Sequence, residues 1–511
     1  MAALLNSCTF SKDFNTNNIS TAENMEQYRP LFHFTPEKMW MNDPNGMVYY
    51  DGEYHLFYQY YPDSTVWGPM HWGHAVSEDL VQWKHLPIAL YPDSLGYIFS
   101  GSAVVDHQNT SGLKTGEHDP LVAIYTYHDA EKEKKGLVDF QTQGIAYSND
   151  RGRTWTKYDK NPVLPNPGIR DFRDPKVFWH EETNSWIMVL AVQDRIHLYG
   201  SADLKKWEYL SEFGQHDGDH GGVWECPDLF PLKVEGSETT KWVLLLSINP
   251  GAPNGGSGTQ YFIGTFDGKQ FVNDNAGSPS LWVDYGRDNY AGVSFANIPR
   301  QDSRRIFMGW MSNWDYAQLV PTKNWRSAMT LPRVLALQQL QQGIRLISNP
   351  VEETTKMRTD SIQLSPGTTE IYSTAQQADG VFTPLEAKLT LAFKEAGTRT
   401  FTLVFSNTKG ETYTLGYDPD RQSFISDRSQ SGEVGFSEKF ASHKALAPYD
   451  LESKTELDIR FFVDVASVEF FIDDGKLAIT EIFFPDGGFD KITLHGNGTL
   501  KAGQVYLLKA N

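Results

Sequence analysis

The sequence predicts an all-β protein, and three observations carry that prediction. Helical periodicity is scarce along the 511 residues. Short runs rich in Val, Ile, Tyr, Phe and Trp alternate with clusters of Gly, Pro, Asn and Asp, the pattern of many short strands joined by turns. A Ser-x-Asp turn leading to an aromatic recurs at Ser77-Glu78-Asp79 before Trp83, Ser148-Asn149-Asp150 before Trp155 and Ser201-Ala202-Asp203 before Trp207. A weaker copy is Thr265-Phe266-Asp267 before Phe271. A second repeat is offset from the first: Asn42-Asp43-Pro44, Arg173-Asp174-Pro175 and Glu225-Cys226-Pro227-Asp228 each precede a strand-like run. Copies roughly 50 to 70 residues apart have the length of one four-stranded sheet with its loops. Two interleaved repeats of this kind are the grammar of a β-propeller blade.

The elements follow in chain order. Residues 1–27 read as a flexible polar tail. Within it, Leu4-Leu5-Asn6-Ser7-Cys8 is either the clipped end of a lipoprotein signal, with Cys8 lipidated, or an expression remnant; the signal as written is incomplete. The expected location is extracellular or at the cell surface, with the periplasm as an alternative. Residues 28–337 are expected to form a five-bladed propeller, counted from Met41 to about Arg333, although four or six blades fit the same repeats. Pro44 biases Asp43 towards an extended backbone, Asn45-Gly46 is a turn signal, and a strand is expected from Met47 to Tyr60. After Arg333 the texture changes, and the Gln-rich segment 338–367 reads as a linker. Residues 368–511 alternate in strand fashion around the hairpin turn Asp473-Asp474-Gly475, and are expected to be a β-sandwich.

Composition narrows the function. The net charge of -19 disfavours nucleic acid and anionic membranes and suits a neutral partner. No apolar run approaches the ~18 residues of a membrane span. With two cysteines, Cys8 and Cys226, neither a disulfide framework nor a zinc-type spacing is expected. His216 to Gly222 lacks the ligand spacing of a calcium loop, so no metal and no cofactor is expected. The 14 Trp residues exceed what a core needs and suit stacking against sugar rings.

Hydrolysis of a glycosidic bond with retention takes two carboxyl groups ~5–5.5 Å apart, one a nucleophile and one an acid/base. Asp43 and Glu225 suit these roles. Asp43 can be hydrogen-bonded by Asn42 and kept ionised, and Glu225 lies in the apolar run Val223-Trp224-Glu225-Cys226-Pro227, which favours its neutral form. Asp174, beside Arg173, could hold hydroxyls and stabilise oxocarbenium charge. Singly, each has a structural reading: turn chemistry for Asp43, an ion pair for Arg173-Asp174, a hydrogen bond between blades for Glu225. Three carboxylates at equivalent points of three repeats point instead to a site. The loop Asn249 to Gly258 is expected to border the pocket, and Asp288 or Tyr290 to approach the sugar.

The blocks Trp40 to Gly46, Phe172 to Pro175 and Trp224 to Asp228, with Phe99-Ser100-Gly101-Ser102, resemble glycoside hydrolase family 32, the fructan hydrolases and invertases. The resemblance implies a five-bladed propeller with a β-sandwich. It implies Asp43 as nucleophile, Glu225 as acid/base and Asp174 as transition-state stabiliser. It implies a fructose pocket lined by Asn42, Gln59, Trp67, Phe99, Ser100, Arg173 and Trp314. The expected substrate is a fructan, levan or inulin, with sucrose as a minor substrate, and exo action is favoured. A fructosyltransferase or a non-catalytic glycan-binding propeller would use the same scaffold.

Overall fold

The computed structural model describes residues 26–376, 382–394, 399–451 and 454–510. The expected lipidation at Cys8 lies outside the described residues. The chain is all-β, and its longest α-helix among them is the short Ala130–Lys134. No helix of the described residues is long and apolar enough to cross a membrane.

Five antiparallel sheets come first. Their innermost strands are Met39–Tyr50, Tyr97–Val105, Phe172–His180, Val223–Lys233 and Tyr290–Ser294. Each of these touches the next in chain order, and the fifth touches the first. Late in the chain, Trp325–Arg326 pairs in parallel with the first innermost strand. Apolar clusters fill the spaces between neighbouring sheets, for example Val122, Ile124, Phe172 and Met188 between the second and third.

The Ser-x-Asp repeat is the turn between third and fourth strands. Asp79 Oδ1 accepts from the amides of Val81 and Gln82, Asp150 Oδ1 from Arg153 and Thr154, and Asp203 Oδ1 from Lys205 and Lys206. The aromatic then folds back: Trp83, Trp155 and Trp207 each donate Nε1–H to a carbonyl three residues upstream. Side-chain capping of a tight turn explains why Asp recurs there.

Two expectations need correction. Asn45-Gly46 is not a turn but a bulge inside the strand Met39–Tyr50, with Gly46 at φ 51°; the chain reverses at Asp51-Gly52. The segment 338–367 is not a linker throughout: Arg333–Leu340 and Gly343–Pro350 form a hairpin that completes the fifth sheet. Its glutamines face outward, while Leu335, Leu337 and Leu346 pack inward.

Beyond it, two six-stranded sheets face each other around a core that includes Leu389, Phe405, Phe461 and Phe470. Asp473, Asp474 and Gly475 all have positive φ in the hairpin joining Ser467–Ile472 to Leu477–Ile482. Buried charges join this sandwich to the five sheets. Arg428 Nη1 donates to Asp288 Oδ2 at 2.6 Å, and Arg333 Nη1 to Asp284 Oδ2 at 2.9 Å. His33 lies between Asp464 and Glu469, 2.8 Å from each.

Candidate active site

All five innermost strands break register near their starts. The irregularities fall between Met41 and Pro44, Ile98 and Gly101, Arg173 and Lys176, Glu225 and Asp228, and Tyr290 and Val293. A bulge re-aims side chains out of the alternating pattern. The backbone is correspondingly strained, with positive φ at Asp174 (65°), Cys226 (46°) and Ala291 (53°). In the second strand a side chain at Gly101 would meet Ile124 O at 2.1 Å, so only glycine fits beside Ser100. These five bulges gather Asp43, Ser100, Asp174, Glu225 and Tyr290 in one place.

Asp43 accepts three hydrogen bonds: from Ser100 Oγ at 2.7 Å, Asn42 Nδ2 at 3.0 Å and the Cys226 thiol at 3.5 Å. Trp40 Nε1 donates to Asn42 Oδ1 at 2.7 Å and so fixes which end of that amide faces Asp43. Cys226 also reaches Asp174, its thiol at 3.7 Å and its amide at 3.1 Å. Arg173 Nη2 donates to Glu225 Oε1 at 2.8 Å and Nη1 to Asp171 Oδ1 at 2.6 Å, while Nε stands 4.0 Å from Asp174 Oδ2. The Tyr290 hydroxyl donates to Glu225 Oε2.

Burial, then the charge of Glu225, pushes the Asp43 carboxyl up, against the hydrogen bonds from Ser100, Asn42 and Cys226. Burial also pushes Asp174 up; Arg173 opposes this, and the charges of Glu225 and Asp43 add to it. Asp43 and Asp174 therefore each hold a proton more tightly than an isolated carboxyl would. The Tyr290 phenol is pushed well up by burial and by Glu225, so it stays a donor.

Several expectations change here. Glu225 does not sit in an apolar setting, because an arginine and a phenol hold its two oxygens. Asp43 is not simply kept ionised by amides, since burial works the other way. Of Asp288 and Tyr290, only Tyr290 reaches the carboxylates; Asp288 is buried against Arg428 and Tyr316.

Asn42, Ser100 and Arg173 thus touch the carboxylates directly. Trp67 is 37% exposed and meets Phe99 edge-on at 6.0 Å; Phe99 in turn stacks on His128 at 4.2 Å. Trp314 stacks on Trp40 at 5.8 Å. Gln59 is buried and donates to Ile98 O at 3.0 Å, holding the strand that carries Phe99 and Ser100. In the loop expected to border the pocket, Ser257 Oγ accepts from the Trp314 amide at 3.2 Å. Asn254 of the same loop is tied to Leu446 of the sandwich. Sequence reasoning missed His128, Asp171 and the bridging role of Cys226. Among these only Cys226 carried a signal, its place within the third block.

Clustered carboxylates beside exposed aromatic rings, on an all-β scaffold, define a glycoside hydrolase. The family models for "Glycosyl hydrolases family 32 N-terminal domain" and "Glycosyl hydrolases family 32 C terminal" match residues 33–350 and 350–508. The chain belongs to glycoside hydrolase family 32, whose fold is a β-propeller plus a β-sandwich. It is similar to a levanase of Bacillus subtilis (strain 168), 51% identical over 93% of this chain and 69% of that one. An extracellular exo-inulinase of Aspergillus niger (strain ATCC MYA-4892 / CBS 513.88 / FGSC A1513) is 40% identical over 91% of both. The solved exo-inulinase of Aspergillus awamori superposes with a TM-score of 0.85 at 36% identity, over 96% of this chain and 99% of that one.

Proposed function

We propose that this protein hydrolyses β-fructofuranosidic bonds of fructans with retention, through a covalent fructosyl-enzyme. The observation that carries the reading is the meeting of Asp43 and Asp174 at Cys226, with Glu225 beside it and held by Arg173, from three strand starts far apart in sequence. Asp43 is the nucleophile, Glu225 the acid/base and Asp174 the group that holds ring hydroxyls and steadies oxocarbenium charge.

The geometry supports a definite order of events. Charge on Glu225 is among the causes that push Asp43 up. A proton on Glu225 removes that repulsion, so a ready acid makes ionisation of the nucleophile easier, although burial still opposes it. Ser100 and Asn42, one on each oxygen, then aim the Asp43 carboxylate. Glu225 gives its proton to the leaving oxygen as the Asp43 oxygen bonds to the anomeric carbon. The resulting Glu225 carboxylate is met by Arg173 and Tyr290. It next takes a proton from water as that water attacks the anomeric carbon, breaks the ester and releases fructose.

Asn42, Gln59, Trp67, Phe99, Ser100, Arg173 and Trp314 form the pocket for the terminal fructose. Levan and inulin are the substrates, with sucrose a minor one, and cutting is from chain ends. Relatives named levanase and exo-inulinase support this choice. The five sheets are the five blades of the propeller, supported by the ring of contacts among the innermost strands. The catalytic part ends with the 343–350 strand, and the sandwich follows. The protein works outside the cell, as the printed name of the exo-inulinase relative suggests for that enzyme.

Incubation with levan, inulin and sucrose, with products resolved by chromatography at low conversion, tests the reading. Fructose as the first product is expected. A ladder of oligosaccharides would refute end-wise cutting, and no product from any of the three would refute the function.

A further inference from the structure

Four of the five innermost strands run for nine to twelve residues, but the fifth, Tyr290–Ser294, has only five. Tyr290 stands opposite Trp310, and the next pair is Val293 with Met308, because a bulge follows Tyr290 at once. Within its own sheet, the start of this strand is therefore held at a single residue pair. That start carries the phenol that donates to Glu225 Oε2. A hydrogen bond weakens steeply as its distance and angle leave the ideal, so something upstream has to fix the strand's entry.

The segment just before it, 284–288, is held by the sandwich. The strand Leu477–Ile482 stands at the edge of one of the two six-stranded sheets and pairs within it on one side only. An edge strand presents a row of unpaired amides and carbonyls. Here the segment takes them. The Tyr285 amide donates to Ala478 O at 2.9 Å, and the Asp288 amide to Thr480 O at 3.2 Å. In the other direction the Thr480 amide donates to Asp284 Oδ1 at 2.8 Å and its hydroxyl to Asp284 Oδ2 at 2.6 Å, while the Ile482 amide donates to Asp288 Oδ2 at 3.0 Å. Two aspartate side chains thus stand in for the carbonyls that a partner strand would offer. A side chain on Gly286 would collide with the Thr480 backbone, so glycine is needed for this approach.

Further bonds stiffen the two aspartates. Asp288 Oδ2 also accepts from Arg428 Nη1 at 2.6 Å, and Oδ1 from the Tyr316 hydroxyl at 2.6 Å. Asn289, the residue between Asp288 and Tyr290, donates from Nδ2 to Asp284 Oδ2 at 3.2 Å. Asp284 and Asp288 are both buried, so water does not compete for these bonds. An unbroken run of fixed residues therefore leads from the edge of the sandwich to the phenol on Glu225.

We propose that Asp288 and Thr480 are positioning residues for the reaction: the sandwich edge clamps segment 284–288 and so sets the Tyr290 hydroxyl on Glu225. This rests on the reading of Glu225 as the acid/base. A double-mutant cycle in the full chain tests it, with kcat and KM measured on inulin or sucrose. Tyr290→Phe removes a hydrogen bond to a charged group and should lower kcat by about ten- to a hundredfold. Asp288→Ala frees the Ile482 amide and leaves Arg428 its other carboxylate, Glu481 at 2.9 Å. It should lower kcat by about tenfold with KM changed by less than about twofold, and in the Tyr290→Phe background it should cost less than about twofold more. Asp288→Asn, which keeps an oxygen for Ile482 and Arg428, should recover most of the loss. If Asp288→Ala does not fold, Thr480→Val, of nearly the same volume, is read in the same cycle, with Thr480→Ser as its rescue. A merely structural clamp lowers the active fraction by the same factor in both backgrounds, and that result would overturn the proposal. So would a KM that rises as much as kcat falls. A crystal structure of the variant should show the Tyr290 hydroxyl off Glu225; the contact unchanged there would also overturn it. That structure needs no substrate, so a wild type that releases no fructose would sink the reaction while the clamp is still decided.

Discussion

Removing the Ser100 hydroxyl should weaken the enzyme most at the acid end of its pH range. In Ser100→Ala, Asp43 loses its shortest hydrogen bond, 2.7 Å from Oγ to Oδ2, at a residue that is only 5% exposed. That bond holds the Asp43 carboxyl down against burial and the charge of Glu225. A hydrogen bond to an ionised group is worth about 1.5–3 kcal/mol, so its loss costs roughly ten- to a hundredfold where ionisation of Asp43 limits the rate. The sign follows directly. The bond favours the charged form, its removal raises the carboxyl further, and a higher pH is then needed to ionise it. The acid limb of kcat/KM should move to higher pH, and the ratio of wild type to variant should shrink as pH rises. Any lost contact between Ser100 and the sugar lowers the whole profile evenly and leaves that ratio's slope untouched. Initial rates of sucrose or inulin hydrolysis between pH 3 and 8 give the answer. A ratio that is flat with pH, or that grows as pH rises, refutes the reasoning.

Glu225→Gln keeps one acceptor oxygen, enough for Arg173 or Tyr290 but not for both, and cannot give up and recover a proton. It should fold normally, bind substrate and lose kcat by about 10²–10⁴ for each proton transfer that limits it; near-normal turnover in a pure preparation would exclude Glu225 as acid/base. Burial alone would lower His33, but hydrogen bonds to Asp464 and Glu469 outweigh it and raise His33 to about 9. Its stabilising charge is therefore complete below the unfolded value of about 6.5 and is lost as pH rises through about 9, so thermal unfolding at pH 9.5 should occur well below that at pH 6. His33→Phe should remove that part of the pH dependence and, by leaving buried Asp464 without its cation while Glu469 keeps Arg333, cost about 3–5 kcal/mol in denaturant unfolding. Gly101→Ala would drive a Cβ against Ile124 O and should lower both stability, by about 1–3 kcal/mol, and kcat, because Ser100 moves with it; unchanged melting would show that the strand can yield.

The blade repeat was legible because its signal is local. Asp79, Asp150 and Asp203 each cap their own turn, and a local hydrogen bond needs only the right residue at the right offset. The three carboxylates were legible for a different reason, their equivalent positions in a repeat. What they touch was not. Arg173 looked like a partner for Asp174, yet its longer reach carries Nη2 to Glu225 on the next strand. Trp224 points away from Glu225 by the strand's ordinary alternation, and Cys226, at the bulge that begins after Glu225, turns to Asp43 and Asp174 instead. Tyr290 stood out only as one of two candidates, and which of them reached the site depended on a fifth bulge that no turn residue announces. The hairpin at 333–350 was misread because an outer strand pair exposes one face. Gln338 and Gln341 imitate a linker, while the strand is held by Leu335, Leu337 and Leu346 on the face that composition alone does not weigh.

The central claim is that Asp43 bonds to the sugar. The direct measurement is to quench the enzyme during turnover of an activated fructoside with a fast leaving group, digest it, and locate any added anhydrofructosyl mass by peptide sequencing in the mass spectrometer. The account predicts the label on Asp43, absent in Asp43→Ala, together with a β-configured first product. Label on another residue, or a product of inverted configuration with Asp43 unmodified, would contradict it.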